Sequence, residues 1–293
     1  MKDVQNQQDG RGVAIQRVGV KDVHFPFQVR EKDNGFQSVL GQARLSVDLP
    51  HHFKGTHLSR FIEILLEWSR KPVSTHEVED ILRATRTRLD AERAHLDLRF
   101  KYFVEKVAPV SKVPQLMDYD VEFSGDMDGE VSTTMVAVEV PITTLCPCSK
   151  EISKYGAHNQ RSVVRVQVRF AAGRFIWIEG LIRAVEGLGS CELFPLLKRE
   201  DEKYVTERAY ENPKFVEDVL RDTVLMLRGD DRVDWFEASC ESFESIHNHN
   251  AFAWQVEDLA AQRSEWGVGG ALEATPPRPD PRRPVETVGT STN

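Results

Sequence analysis

The sequence predicts an α+β protein of mostly antiparallel sheets with helices packed on one face. Three observations lead there. Apolar–polar alternations recur along the chain, as half-buried strands require. Runs with helical spacing fall between them in blocks. Two of the alternating runs flank a glycine-bearing turn region, which reads as a hairpin.

Taken in order, Ser38–Leu49 alternates through Ala43, Leu45, Val47 and Leu49, and Pro50 ends it. Leu58–Trp68 carries Leu58, Phe61, Ile62, Leu65 and Leu66 at helical spacing. Ser74–Arg88 reads as a second helix, with Ser74 and Glu77 spaced as a capping box. Ala94–Val107 alternates as a strand through Leu96, Leu98, Phe100, Tyr102 and Val104. Tyr119–Phe123 and Val131–Val140 form the hairpin around Gly125–Gly129. Val163–Phe170 is a strand, and Phe175–Ile178 a short one that Gly173 introduces. Pro213 opens an amphipathic helix over Lys214–Arg228, and Val233–Ser239 and Ala251–Val256 close the body as strands.

Residues 1–20 read as a flexible arm, and residues 264–293, rich in Pro, Gly, Ser, Thr and charge, as a disordered tail. Within the body, VDLPHHFKGTHLSRF and VEVPITTLCPCSKEI rhyme. Each ends an alternating strand on an acidic residue, an apolar residue and proline. The rhyme suggests a duplicated strand–helix–strand unit, divided as residues 21–117 and 118–263.

Composition narrows the partners. The chain has 293 residues, 40% hydrophobic and 29% charged, with a formal net charge of -8. Such an acidic protein lacks the basic footprint of a nucleic-acid binder, though a local basic pocket would still hold a small anion. No stretch approaches eighteen apolar residues and the N-terminus has no signal-like apolar region, so neither membrane span nor secretion is expected. Four cysteines without a secretory signal read as thiols or metal ligands, which points to the cytoplasm.

The chemistry concentrates in CPCSKEISKYGAHNQRS, Cys146–Ser162. Cys146 and Cys148 lie two apart, and His158 follows ten residues later. A Cys and a His close in space begin a divalent-metal site. Lys150, Lys154 and Arg161 add positive charge that would favour a thiolate. The plainer alternative is a pair of small buried cysteines. In ESIHNHN, Glu244 precedes His247 and His249; on a strand both rings would share a face, and the carboxylate would suit acid–base work or a metal shell. The plainer alternative is a solvated turn. LKRED places Glu200 and Asp201 in what reads as a surface charge cluster, and Glu217 sits in the Lys214–Arg228 helix, where a solvent face is the ordinary role. Lys54, His57 and Arg60, with Gly55, make a candidate phosphate loop; a basic helix start is the alternative.

Together KDVHFPF, LPHHFKGTHLSRF, PITTLCPCSKEISKYGAHNQRS, LKREDEKYVTERAYENPKFVED and ESFESIHNHNAFA resemble the second bacterial type of GTP cyclohydrolase I, type IB, with both arms outside the likeness. The resemblance implies a tunnelling fold of two tandem modules, assembled as a homotetramer with active sites at subunit interfaces. It implies conversion of GTP and water to 7,8-dihydroneopterin triphosphate and formate, the first step toward tetrahydrofolate. Carried over residue by residue, Cys146, His158 and Glu200 match the metal ligands and Glu217 the guanine anchor. Glu244 and His247 match the acid–base pair. Cys146 and Cys148 divide the thiol roles in an order the resemblance leaves open. Lys54, His57, Arg60, Lys150 and Arg161 are the candidates for holding the substrate and its triphosphate. The metal would be Mn, Fe or Zn, since a mixed S, N and O donor set suits all three.

Two other readings compete. A related tunnelling-fold nitrile reductase of deazapurine metabolism would use a Cys nucleophile and NADPH, and would need no metal. A non-catalytic metal-binding scaffold would hold metal without turning over GTP.

Overall fold

The computed structural model describes residues 5, 7–33 and 35–265. Its strands are β1 (Ile15–Arg30), β2 (Phe36–Leu49), β3 (Pro72–Val73), β4 (Arg93–Val107) and β5 (Pro114–Asp128), then β6 (Val131–Leu145), β7 (Asn159–Phe170), β8 (Cys191–Glu192), β9 (Val233–Ser242) and β10 (Ala251–Asp258). The helices are α1 (Leu58–Trp68), α2 (Thr75–Leu89), α3 (Pro147–Ile152), α4 (Ile178–Glu186), α5 (Arg199–Glu211), α6 (Val216–Arg228) and α7 (Leu259–Glu265). Among the described residues no helix is long and apolar enough to cross a membrane.

The strands form one sheet in the order β10-β9-β7-β6-β5-β4-β2-β1-β3, with β8 beside β6. Every pairing except β1 with β3 is antiparallel. Register carries the apolar alternation across the sheet. Leu45 faces Leu96, Leu98 faces Phe123, Phe123 faces Val136, and Val136 faces Val168. All lie on one buried face, against Phe61 and Ile64 of α1, Val78 and Leu82 of α2, Ile182 of α4 and Val219 and Leu227 of α6. Burial of each such side chain contributes roughly 1.5–3 kcal/mol, so the helices stay on this face. The opposite face carries ion pairs such as Arg99–Glu122, Arg165–Glu139 and Lys101–Asp120. The α+β class with helices on one face therefore holds.

Two glycines are required by this arrangement. A Cβ on Gly125 would stand 2.7 Å from Val78 and 2.8 Å from Leu82, so only glycine lets α2 settle on β5. Gly129 has φ +57 and makes the β5–β6 turn, which is narrower than the expected Gly125–Gly129 region.

Several expectations change. β1 starts at Ile15, inside the expected arm, and was hidden by a bulge. Pairing slips between Val20 and Val23, with Asp22 at φ 58, so the inward set Val18–Val20 changes phase to Val23, Phe25, Phe27 and Val29. Phe175–Ile178 is not a strand: Ile178 begins α4, whose buried Ile178, Leu181, Ile182 and Val185 have helical spacing. α3 and α5 stand where the sequence pattern predicts no element.

The boundary expected at 117/118 cuts β5. The sheet repeats instead as β5-β4-β2-β1 and β10-β9-β7-β6, dividing at the β5–β6 turn. The sequence rhyme matches the end of β2 to the middle of β6, which are not equivalent strands in that repeat. Pro141 does not end β6; β5 pairing stops at Asp120–Glu139, so the missing N–H is tolerated. The described residues up to Ala260 make one compact unit; the unit beyond is described only to Glu265, as the end of α7. The rest of the expected tail lies outside the described residues.

Ser74 caps α2 with Glu77 completing the capping box, as the spacing predicts. Ser74→Ala should cost about 1 kcal/mol. The measurement is the urea unfolding midpoint, which should fall at unchanged slope.

Candidate functional site

Antiparallel pairing sends the C-terminal ends of β6 and β9 and the N-terminal ends of β7 and β10 to one end of the sheet. Here the core face turns polar. The apolar series Val136, Val138, Val140, Ile142 ends in Thr144; Val168, Val166, Val164 ends in Ser162; Phe236, Ala238, Cys240 ends in Ser242. These three hydroxyls are buried and satisfy one another, at 2.7 Å for Thr144–Ser162, 2.6 Å for Ser162–Ser242 and 3.4 Å for Thr144–Ser242. Gln160 extends the chain outward. Its Nε2 donates to Thr144 Oγ1 at 3.0 Å, and its Oε1 lies 3.0 Å from His158 Nδ1.

The β6–β7 connection closes on itself. Cys146 N donates to His158 O at 3.1 Å, so the two candidate ligands are neighbours at the base of the loop. Ser149 holds the closure: its Oγ donates to Cys146 O and accepts from His158 N. Pro147 occupies the first turn of α3, and Ser149 N donates to Cys146 Sγ at 3.4 Å. Cys146 is half-buried and Cys148 exposed, so the pair diverges at the helix start instead of sharing a strand face.

Two helices bring carboxylates to the same end. Asp201, expected in a surface cluster, is fully buried. It accepts from Val110 N, Ser111 N, Ser111 Oγ and Lys198 N, pinning the start of α5 to the β4–β5 turn. Burial alone would raise its pKa; the hydrogen bonds from Ser111, then Lys198 and Val110, hold it well below the usual carboxylate range. Glu200 sits exposed beside it in the first turn. Lys214 N donates to Leu145 O, which sets the start of α6 and Glu217 at this end. Burial, with the Glu217 charge nearby, pushes the Cys240 thiol up to about 12.

Glu244 and His247 follow β9 in an irregular loop, not a strand. Phe243 N donates to Arg161 O, and the His247 and His249 rings stack at 5.2 Å. Arg161 lines a groove of about 480 Å³ with Lys101, Asp120, Glu139, Phe194 and Phe243. Lys150 turns to the Tyr210 ring, at 4.3 Å, and to its carbonyl.

Lys54, His57 and Arg60 are not brought here. They follow the C-terminal end of β2, at the opposite end of the sheet, roughly 45 Å away along a strand the length of β6. Arg60 Nη1 donates to Arg88 O at 2.8 Å, and Gln7 O and Gln5 O accept from Lys54 N and Gly55 N. Nor does one chain gather a metal shell: among the described residues no three His, Cys, Asp or Glu side chains cluster to hold an ion. The donor types of the pair nevertheless suit a divalent metal: a Cys and a His are joined backbone to backbone, and a carboxylate-bearing helix start lies at the same end.

Thr144, Gln160, Ser162 and Ser242 escaped the sequence reading. Their signal is a polar side chain at the next inward position of an apolar alternation.

Residues 1–253 match the family model described as type I GTP cyclohydrolase folE2, so the first twenty residues fall inside the likeness. The chain is 52% identical over 254 residues to GTP cyclohydrolase FolE2 of Magnetococcus marinus, covering 87% of this chain and 95% of the relative. It is 50% identical over 258 residues to GTP cyclohydrolase FolE2 of Geobacter sulfurreducens, covering 88% and 98%. Among solved structures, a uricase from Bacillus fastidious aligns over 90% of this chain and 99% of its own, with TM-score 0.49 and 8% identity. The uricase of Arthrobacter globiformis aligns over 83% and 93%, with TM-score 0.47 and 6% identity.

Asp201→Asn should destabilise the protein at neutral pH, because amide cannot replace the charged acceptor. With the folded pKa depressed, the wild-type advantage is complete above the unfolded value of about 3.9 and shrinks as pH falls below it. Urea midpoints of both proteins at pH 7 and near pH 3.3 check this; a gap that widens in acid contradicts it.

Proposed function

The chain belongs to the type I GTP cyclohydrolase FolE2 family, and from that membership we propose that it opens the purine ring of GTP at C8, giving 7,8-dihydroneopterin triphosphate and formate on the way to tetrahydrofolate. The observation that carries the reading is the closure of the 146–158 loop, which sets Cys146 beside His158 at the end of the sheet that also receives Glu200, Glu217, Glu244 and His247.

Cys146, His158 and Glu200 are the residues that would hold a divalent metal: Mn, Fe or Zn. Bound there, the metal supplies a water of lowered pKa at neutral pH. The remaining work belongs to side chains. Glu217 accepts hydrogen bonds from guanine N1–H and the 2-amino group, and adenine would leave that carboxylate unpaired. His247 protonates N7, which makes C8 more electrophilic, and Glu244 exchanges protons with it through ring opening. Cys148, exposed on α3, is the thiol left facing substrate. Arg161 and Lys150 lie at this end to meet the triphosphate.

Lys54, His57 and Arg60 act on the same substrate only if a second copy brings its opposite end here. The exposed Ile152, Tyr155 and Ile246 around the site support such a contact and a homotetramer with shared sites. Free cysteines suit a cytoplasmic enzyme, and Arg161 and Lys150 suit a small anionic nucleotide.

Purified protein incubated with GTP and Mn or Zn, then oxidised, should yield pterin fluorescence and formate. Absence of product with every divalent metal tried would overturn the reading, and bound metal without turnover would favour the scaffold. Cys146→Ala and His158→Ala should each lose metal and activity together, measured by metal content and formate release.

Glu217→Ala should raise KM for GTP about 10- to 100-fold with a smaller effect on kcat, as loss of uniform substrate binding does. Steady-state kinetics check it, and an unchanged KM removes Glu217 from the guanine pocket.

A further inference from the structure

The imidazole of His158 has two nitrogens, and only one can carry the proton while the ring is neutral. Which one decides whether the ring can bind a cation through the other. The side chains behind His158 make that choice.

Thr144 Oγ1 is completely buried and has three polar neighbours: Gln160 Nε2 at 3.0 Å, Ser162 Oγ at 2.7 Å and Ser242 Oγ at 3.4 Å. One hydroxyl offers a single hydrogen and two lone pairs. The Gln160 amide nitrogen donates to Thr144, whose own hydrogen goes to the serine pair. That spends the Gln160 NH2 group inward and leaves Oε1 facing His158 Nδ1 at 3.0 Å. An amide oxygen only accepts, so His158 Nδ1 donates. Nε2 then keeps its lone pair.

We propose that Gln160 is a positioning residue that fixes His158 as the Nδ1–H tautomer with Nε2 presented to the divalent metal, and that the buried Thr144–Ser162–Ser242 hydroxyls hold the Gln160 amide in the required sense. The metal half rests on His158 being a ligand, as proposed above; the tautomer half does not. Polar partners of this kind set ring orientation and ligand basicity, and their loss typically lowers metal affinity roughly 10- to 100-fold. The register supports the geometry: Thr144 and Gln160 are direct partners across β6 and β7, and Ser162 and Ser242 across β7 and β9. Rigid strands, not the loop, therefore carry the orienting groups.

The test uses full-length metal-free protein labelled with 15N-histidine. Two-bond proton–nitrogen correlations at mildly alkaline pH report the tautomer, with His158 assigned by comparison with His158→Asn. The expected state is Nδ1–H; an Nε2–H ring overturns the proposal. Zn affinity is then measured by competition with a chromophoric chelator. Gln160→Met should bind Zn roughly 10- to 100-fold more weakly while Gln160→Glu, which still accepts from Nδ1, keeps most of the affinity. Wild-type affinity in Gln160→Met overturns the positioning role. If Gln160→Met fails to fold, Thr144→Val supplies the second reading, since it frees the amide and should mix the two tautomers. If His158→Asn binds Zn as wild type while the Nδ1–H tautomer stands, the ligand assignment fails and the tautomer assignment survives.

Discussion

In an antiparallel sheet each strand reverses its neighbour, and that reversal decides which loops of this chain can meet. β6 and β9 end where β7 and β10 begin, so the 146–158 connection, the loop after Ser242 and the starts of α5 and α6 share one end. β2 ends at the other. Residues far apart in sequence, such as Cys146, Glu217 and Glu244, are gathered by this rule alone. Lys54 and Arg60 are separated from them by the same rule, although their segment resembles the 138–152 segment in spelling.

The gathering end is also where the core stops being apolar. Buried hydroxyls cost free energy unless paired, and Thr144, Ser162 and Ser242 meet that cost by bonding to each other. Their placement turns the last row of a hydrophobic face into a support for polar side chains. Asp201 does the equivalent for α5: a fully buried carboxylate takes the free N–H groups of a turn and a helix start together. At Gln160 and at the start of α5, packing thus passes directly into orientation, as a site held to small tolerances requires.

How much of this the sequence disclosed depended on whether the signal was local. The α2 capping box and the β4 alternation were legible because Ser74–Glu77 and Leu96 through Val104 state them within a few residues. The chemical residues in Cys146–Ser162 were legible by type. β1 was not, because the bulge at Asp22 breaks its periodicity midway, and α4 was not, because the aromatic Phe175 and Trp177 before it imitate a strand. Asp201 could not be told from a surface acid, since its burial comes from a turn some ninety residues earlier. The hydroxyl row needed the register of three strands at once. The separation of Lys54 from Cys146 needed strand direction, which no local pattern carries.

That separation constrains how copies of the chain could share a site. One chain has the Cys146 group at one end and the Lys54 group at the other, about 45 Å apart along the strands. If the second group completes the first across an interface, one way is for two chains to lie side by side with their strands running in opposite senses. A two-fold axis perpendicular to the strands does this and completes two sites at once, each from both chains. Stacking copies in the same sense would also bring unlike ends together, but it would leave one incomplete site at each terminus of the stack. Closed symmetry with reversed neighbours would give every Cys146–His158 pair a Lys54 loop, as would a closed head-to-tail ring. Arg60 already bonds the Arg88 carbonyl and the Lys54 charge already acts on the Asp9 carboxylate, so sharing a site would require both cations to exchange these partners for a substrate's phosphates.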